Sequence, residues 1–258
     1  MTPLDVRLSP RAARAWRRRW DLQQERHVPD REARFAAITE TLATVAGPEP
    51  RVLDLGCGTG SLTERVLRRL PRAKVVAVDF DTVTLAIGRA GLGSLGGRLT
   101  WVETDLREPH WETALPPGRF DAAVSTTALH WLTGAQLARV YGVLGRRIRR
   151  GGIFLNGDFL GFDERSLRLA EADRLARKSG ASGRRGRGES WSDWWAAVRR
   201  EPTLRAEVRL RRSRFPGVHT RVRVPNLAGH VDRLQRAGFS ETEVVWSRGQ
   251  NRVLAAVR

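Results

Sequence analysis

The sequence predicts an α/β fold with a doubly wound, mostly parallel sheet, and three observations support that class. Short apolar runs alternate with helical segments between residues 51 and 158, as in a parallel sheet with helices on both faces. A glycine-rich turn joins the first of these runs to the helix that follows it. Two further strand-like runs close the chain.

Helical periodicity comes first along the chain. Residues 8–45 carry apolar side chains at helical spacing; Ser9-Pro10 is a helix start signal and Pro29-Asp30 interrupts the run. The segment Gly47-Pro48-Glu49-Pro50 then forms a hinge. We therefore expect residues 1–50 to form an N-terminal helical lid.

Residues 51–158 form the predicted core, in which strands alternate with helices. The predicted strands are residues 51–55, 74–78, 99–103, 120–125 and 152–156, and the predicted helices are residues 62–70, 82–90 and 135–148. Open sheets of this kind bind ligands at the carboxyl ends of their strands. Functional residues are therefore expected in the loops that follow the strands.

The alternation stops after Asp158, and residues 159–224 are interpreted as a helical cap inserted at one edge of the sheet. A helix is predicted over residues 163–178 and a flexible Gly/Arg-rich loop over residues 179–188. An apolar stripe at helical spacing then predicts a second helix, with the residues Trp191, Trp194, Trp195 and Val198.

Residues 225–258 are predicted to complete the core. The pattern indicates a helix over residues 226–237 and two strands, residues 243–246 and 252–257. The short turn between the two strands predicts a hairpin.

The charge balance is strongly basic. The chain has 258 residues and a net charge of +18, and all but two of its 46 basic residues are arginines. Half of the excess lies in residues 159–224, which hold 17 basic and 8 acidic residues. This segment is either a solvated helical surface or a docking face for an acidic partner.

Several classes of protein are excluded by composition. A single cysteine, Cys57, rules out a disulfide framework and a cysteine-based metal site. No apolar run approaches the roughly 20 residues of a membrane helix, and the first residues lack the apolar core of a signal peptide. We expect a cytoplasmic protein without a metal site.

The segment from Val52 to Gly60, Val-Leu-Asp-Leu-Gly-Cys-Gly-Thr-Gly, carries the strongest functional signal. A buried strand runs into a glycine turn that opens a helix, and glycine permits both the turn's backbone angles and close approach of a ligand. The G-x-G-x-G spacing differs from the G-x-G-x-x-G of pyrophosphate-binding turns. Asp54 precedes the turn, and Asp79 ends the next strand, where a carboxylate can bind two ribose hydroxyls.

These residues resemble the class I S-adenosylmethionine-dependent methyltransferase family, over the segments from about Arg51 to Asp158 and the terminal hairpin. The resemblance implies a Rossmann-like sheet of seven strands, mostly parallel with an antiparallel last strand. It places the glycine turn under the cofactor, Asp79 on the ribose, the Asp105-Leu106 pair on the adenine, and the loop after the fourth strand at the methionine end. The S-adenosyl-L-methionine site so predicted comprises Asp54, Gly56, Cys57, Gly58, Thr59, Gly60, Asp79, Phe80, Asp105, Leu106 and Thr126.

In that family an N-terminal helix often closes the site, and an arginine there can bind the methionine carboxylate. Arg19 and Gln24 are the candidates for that role, although a solvated amphipathic helix is the alternative.

His130 is the candidate catalytic residue, because it follows the fourth strand at the carboxyl edge of the sheet. It is either a base for a hydroxyl acceptor, a group that holds a carboxylate, or a residue that fixes the loop. Trp131 and Trp191 are candidate substrate contacts, and Trp194 and Trp195 fit a core stripe better. His219 and His230 are interpreted as structural or surface residues.

The resulting hypothesis is methyl transfer to a small molecule, as O-methylation of a hydroxyl or a carboxylate. Methylation of base amines is disfavoured because the loop after the fourth strand, Ser125-Thr126-Thr127-Ala128, lacks the Pro-Pro-aromatic motif of those enzymes. Three alternatives stay open. They are an RNA methyltransferase that uses the basic insertion, a dinucleotide-dependent oxidoreductase, and a cofactor-binding scaffold without catalysis.

Overall fold

The computed structural model describes residues 8–183, 188–214 and 225–258, and its centre is a seven-stranded sheet. The strands are β1 Arg51–Leu55, β2 Lys74–Asp79, β3 Leu99–Glu103, β4 Phe120–Thr126, β5 Ile148–Phe159, β6 Glu241–Arg248 and β7 Asn251–Val257. Their order is β3-β2-β1-β4-β5-β7-β6, with the first five strands parallel and β7 antiparallel to both neighbours. The predicted fold class is confirmed.

The described residues form nine α-helices. They are α1 Pro10–His27, α2 Arg31–Val45, α3 Ser61–Arg69, α4 Thr82–Leu92, α5 Gly134–Arg147, α6 Leu167–Gly183, α7 Trp191–Arg200, α8 Arg205–Arg214 and α9 Leu227–Arg236. The start of α1 follows its sequence signal, since the Ser9 side chain accepts a hydrogen bond from the Ala12 N–H and Pro10 opens the helix. None of the helices in this part of the chain is both long and apolar enough to cross a membrane.

Helices cover both faces of the sheet, and the side chains of its strands are therefore buried on both faces. One face packs against α5 and α9 through a cluster that includes Leu53, Tyr141 and Phe154. The opposite face packs against α2 and α3 through a cluster that includes Ile38 and Val66. The carboxyl ends of β1, β2 and β4 are thereby held at one edge, where the glycine turn lies.

A third cluster ties the cap to the N-terminal helix. Trp194 is fully buried, and its ring centroid lies 5.8 Å from that of Trp16 and 4.9 Å from that of Trp20. Val83 and Ile87 of α4 complete the cluster. The main contacts of α7 and α8 with helices outside the cap are with α1 and α4, so this part of the cap covers those helices.

Two sequence predictions are wrong in detail. The loop predicted over residues 179–188 is helical as far as Gly183, because α6 continues past its predicted end; residues 184–187 and His219 lie outside the described residues. Strand β5 covers 12 residues and is longer than the predicted 152–156. Its pairing with β7 extends from Ile153 to Phe159, beyond the end of β4, and this long-range pairing leaves no local sequence signal.

Candidate active site

The glycine turn is built by backbone angles that only glycine adopts without strain. Gly56, Gly58 and Gly60 have φ values of +70°, +54° and +80°. The carbonyl oxygen of Val78 accepts hydrogen bonds from the N–H groups of Gly56 and Cys57, at 2.8 and 2.9 Å. The turn is therefore fixed to the end of β2, beside Asp79.

Gly56 also brings the turn against the loop that follows β4. A Cβ atom added at Gly56 would lie 2.3 Å from the Cβ atom of Ala128, which is too close for any side chain. The loops after β1 and β4 are thus in direct contact, and a residue of either loop can face the same ligand.

Replacing Gly56 with alanine should separate these loops and weaken binding of S-adenosylhomocysteine at least tenfold. Gly47→Ala is the matched control, because Gly47 also has a positive φ, +82°, but a Cβ atom there meets nothing within 4 Å. Both variants carry the left-handed strain of about 1–2 kcal/mol, so the difference between them reports the effect of a Cβ atom in the glycine turn and not of backbone strain. Calorimetric titration and thermal unfolding would measure it, and equal affinities would contradict the expectation.

The Asp79 carboxylate is buried at the end of β2 and accepts three backbone hydrogen bonds. Its donors are the N–H groups of Gly58 at 2.7 Å, Phe80 at 2.8 Å and Asp81 at 2.9 Å. Burial raises the pKa of Asp79 to about 6, so the group is mainly ionised at neutral pH. A carboxylate has about four acceptor positions, which leaves room for a hydroxyl donor from a ligand.

Asp54 connects β1 to the helix that follows the glycine turn. It is buried, its Oδ2 accepts a hydrogen bond of 2.5 Å from the Thr63 hydroxyl of α3, and burial raises its pKa to about 7. Cys57 is buried as well, and burial raises the pKa of its thiol well above the usual value, so the thiol is not a nucleophile. Thr59 is fully buried, and its carbonyl oxygen accepts a hydrogen bond of 3.0 Å from Arg17 of α1.

A pocket of about 400 Å³ opens beside Asp79, at the carboxyl ends of β2 and β3. It is lined by Phe80, Glu103, Thr104, Asp105, Arg107, Glu108 and Arg214. Phe80 and Asp105, both predicted cofactor residues, therefore face the same space. Leu106 is not among the residues that line this pocket. It is half-buried against the core cluster on the α5 face.

Two arginines that the sequence reasoning missed shape this pocket. Arg107 binds the Asp105 carboxylate with distances of 2.6–3.0 Å, and its guanidinium lies 4.8 Å from the centre of the Phe80 ring. Arg214 of α8 binds Glu103 at 2.6 Å. Arg107 directly follows the Asp105-Leu106 pair and could have been considered, whereas nothing in the sequence connects Arg214 with β3.

His130 lies in a short 3-10 turn, Leu129–Trp131, directly after the contact with the glycine turn. Its Nδ1 atom is 2.9 and 3.1 Å from the two carboxylate oxygens of Asp158, which stands near the end of β5. The His130 side chain is 26% exposed and the Asp158 side chain only 2%. The structure therefore anchors the imidazole on one nitrogen and leaves part of the ring open.

Asp158 stays ionised although it is buried. Burial would raise its pKa, but the charges of His130 and Arg34 hold that pKa below its usual value. Burial would likewise lower the pKa of His130, but the Asp158 charge and hydrogen bond outweigh it, and the net shift is upward. Sequence reasoning missed Asp158 because it lies 28 positions from His130 and is brought beside it only by the sheet.

The remaining loop and substrate candidates lie around this edge. The Thr126 hydroxyl oxygen is buried and has no hydrogen-bond partner among the described residues. Trp131 is 47% exposed, and its ring centroid is 5.0 Å from that of His130. Trp191 packs on Trp20, with 5.5 Å between the ring centroids, and so belongs to the cluster that joins α1 and α7.

In the structure, both candidate residues of the N-terminal helix form hydrogen bonds with other side chains of the protein. Arg19 binds the Glu189 carboxylate at 2.7 and 2.8 Å, and Gln24 donates a hydrogen bond to the Gln23 side chain. The α1 side chain nearest Gly58 is Trp20, 3.9 Å from the position of an added Cβ atom. Their predicted contact with the cofactor stays a prediction.

The chain is similar to known methyltransferases. A family model described as "Methyltransferase domain" matches residues 52–152. A trans-aconitate 2-methyltransferase of Streptomyces avermitilis is 33% identical over 118 residues, which are 45% of this chain and 42% of that protein. One from Azoarcus sp. is 32% identical over 151 residues, 58% of this chain and 54% of that protein. The chain thus spans about half the length of these relatives.

Solved structures share the fold. A magnesium protoporphyrin IX methyltransferase from Synechocystis, with bound SAH, has a TM-score of 0.56 at 17% identity. The match covers 94% of this chain and 92% of that one. At this level of identity the likeness concerns the fold.

Proposed function

We propose that this chain is a class I S-adenosylmethionine-dependent methyltransferase that transfers a methyl group to an oxygen atom of a small-molecule acceptor. One observation carries the proposal: an imidazole anchored by a buried carboxylate lies in the loop that touches the glycine turn. The glycine turn predicted to bind the cofactor and a side chain able to take a proton from the acceptor therefore lie close together.

The residues at this edge fit the cofactor. The Asp79 carboxylate has an acceptor position to spare for a ribose hydroxyl. The Thr126 hydroxyl is a buried polar group without a partner among the described residues. The pocket beside Phe80 and Asp105 provides space for the adenine. When bound, S-adenosyl-L-methionine supplies a methyl group on a positively charged sulfur, which makes that methyl carbon electrophilic.

The protein's part in such a reaction is to align the acceptor and exclude water. His130 and Trp131 are next to each other at the open end of the edge, where an acceptor would contact both. Trp20, backed by Trp191 and Trp194, covers the glycine turn from the side of α1. We infer that this indole wall limits the access of water to the cofactor.

Two kinds of acceptor oxygen are consistent with this site. The names of the trans-aconitate methyltransferases favour a carboxylate, which needs no base. The anchored imidazole favours a hydroxyl, which does need one. The acceptor itself is part of the proposal, because the chain aligns with only about half of each relative.

The basic surface is the one feature that favours RNA as the acceptor. On α8, Arg205, Arg209 and Arg212 are exposed at spacings of four and three residues and so share one helix face. The loop after β4, Ser125-Thr126-Thr127-Ala128, lacks the Pro-Pro-aromatic motif of enzymes that methylate base amines. We therefore rank RNA second.

A titration with three ligands tests the proposed function. S-adenosylhomocysteine should bind, nicotinamide dinucleotide should not, and total tRNA should bind weakly, with affinity that falls steeply with salt as counterions are released. Binding of the dinucleotide without S-adenosylhomocysteine would overturn the proposal. Tight, sequence-selective tRNA binding at physiological salt would favour the RNA methyltransferase instead.

A further inference from the structure

We propose that the helical cap carries a ligand site of its own, which binds the phosphate group of a small phosphate monoester. The site is a cavity of about 210 Å³ between α7 and α8, named here the cap cavity and lined by Trp195, Arg199, Val208, Arg211 and Arg212. It shares no lining residue with the pocket beside Asp79. The inference is therefore independent of the proposed function.

The cap cavity is built by residues that share a face on each of two helices. Trp195 and Arg199 are four positions apart on α7. On α8, Val208 is followed by Arg211 and Arg212 at three and four positions. Side chains at these spacings are neighbours on a helix surface. A short 3-10 turn connects α7 to α8, and the two faces meet at the cavity, so three guanidinium groups converge there.

Arg211 is held at the wall of the cap cavity by two contacts. Its Nε atom donates a hydrogen bond of 2.6 Å to Asp81, the residue that caps α4. Its guanidinium carbon lies 3.9 Å from the centre of the Trp195 ring, and the side chain is 25% exposed. A guanidinium fixed in this way loses little conformational freedom when an anion binds, and this favours affinity.

The other two arginines carry charge that the protein does not neutralise. Arg199 and Arg212 are exposed, and neither forms an ion pair with an acidic side chain in the described part of the chain. Residues 191–214 hold seven arginines and three acidic residues. Three guanidinium groups thus meet at the cavity, and Asp81 is the carboxylate bound to one of them. An anion is the ligand that compensates this excess of positive charge.

Trp195 supplies a further hydrogen-bond donor. Its side chain is buried, with 7% exposure, and its indole N–H has no hydrogen-bond partner among the residues described. Buried donors are normally satisfied by an acceptor. We assign this N–H to an oxygen atom of the ligand that binds beside Trp195.

Phosphate matches this set of donors better than a carboxylate does. Arginine binds phosphate oxygens through pairs of parallel N–H groups. A phosphate monoester presents three oxygens and a charge of about −1.5 to −2 at neutral pH, whereas a carboxylate presents two oxygens and one charge. The cap cavity is smaller than the roughly 300–1,000 Å³ of sites for drug-sized ligands. It can therefore hold the phosphate group while the rest of the ligand extends into solvent.

A single-stranded nucleic acid fits the cap cavity less well. Such ligands bind through aromatic rings on which bases stack and through a groove of cations along the backbone. Trp195 is buried, and Arg211 lies over its ring, so a base cannot stack there. The arginines converge on one cavity and favour a single phosphate group.

Titration with inorganic phosphate tests the site without knowledge of the natural ligand. At constant ionic strength phosphate should bind saturably, and the nuclear magnetic resonance signal of the Trp195 indole N–H, assigned with Trp195→Phe, should shift with it. Arg212→Ala should weaken phosphate binding about tenfold or more, because hydrogen bonds to a charged group are lost. Arg209→Ala is the matched control and should leave the affinity unchanged, since Arg209 is also exposed on α8 but does not line the cap cavity.

Four results would contradict the inference. The first is that phosphate does not bind the wild type, or binds no better than chloride at equal ionic strength. The second is an equal loss of phosphate affinity in Arg212→Ala and Arg209→Ala, which would indicate a diffuse basic surface. The third is that glycerol phosphate binds no more tightly than glycerol, which would exclude phosphate monoesters. The last is total tRNA that displaces phosphate and binds both variants equally weakly, which would assign this face to nucleic acid.

Discussion

Asp79→Ala should weaken binding of S-adenosylhomocysteine by about a hundredfold or more. A hydrogen bond to a charged group is worth about 1.5–3 kcal/mol, and a ribose hydroxyl would lose its acceptor. The substitution also leaves the N–H groups of Gly58, Phe80 and Asp81 without their partner, which loosens the glycine turn. Calorimetric titration of both proteins measures the loss.

The control is Asp121→Ala at the opposite edge of the sheet. Asp121 also accepts a backbone hydrogen bond, from Arg51 at 2.8 Å, and also belongs to a parallel strand. Asp121→Ala should leave the affinity for S-adenosylhomocysteine unchanged. If Asp79→Ala binds S-adenosylhomocysteine as tightly as the wild type does, Asp79 is not part of the cofactor site. Since the pKa of Asp79 is about 6, affinity of the wild type should also fall as the pH is lowered through 6, where the protonated carboxyl binds a hydroxyl donor less strongly.

His130→Ala should lower the rate of methyl transfer to a hydroxyl acceptor by about 10²–10⁴-fold, the usual contribution of a positioned base. Binding of S-adenosylhomocysteine should change little, because the cofactor contacts proposed above involve other residues. The pKa of His130 is raised, so the wild-type rate should increase with pH through a value above the ordinary pKa of His. The rate of the variant should not show this increase with pH. Release of S-adenosylhomocysteine follows the reaction.

His130→Gln separates chemistry from packing. Glutamine keeps a polar group of similar length but cannot act as a base at neutral pH, so its rate should match that of His130→Ala. An unchanged rate in both variants, with an accepted hydroxyl substrate, would show that His130 only fixes the loop. Recovery of the rate in His130→Gln alone would indicate that the imidazole contributes shape and not proton transfer.

The sheet could be predicted because its signals are local. Each core strand is a short apolar run bounded by turn residues, and glycine at positions 56, 58 and 60 is required by backbone angles that other residues avoid. The position of the acids at the strand ends could be predicted as well, since the carboxyl ends of parallel strands meet at one edge of the sheet. Asp79 and Asp105 both lie at that edge, and their predicted contacts with the cofactor stay predictions.

The missing parts of the site all depend on contacts between distant segments. Asp158 reaches His130 only because β4 and β5 are neighbours. The charge of Arg34 acts on Asp158 from a buried side chain of α2 that binds Asn251 and Thr127. Arg19 is a candidate by its helix position, but the structure gives it Glu189 as a partner from the cap, 170 positions away. A pattern in one sequence cannot specify which of many arginines meets which carboxylate.

The tryptophan cluster has a consequence for protein engineering. Trp16 and Trp20 lie on α1, and Trp194 lies on α7, so residues at the two ends of a long stretch of chain form one interlocked unit in space. The same α1 carries Arg17, which binds the glycine turn. The cap is therefore not a separable module: a chimera that transplants α7 into another scaffold must bring α1 with it, or the indoles of both partners will be left facing water.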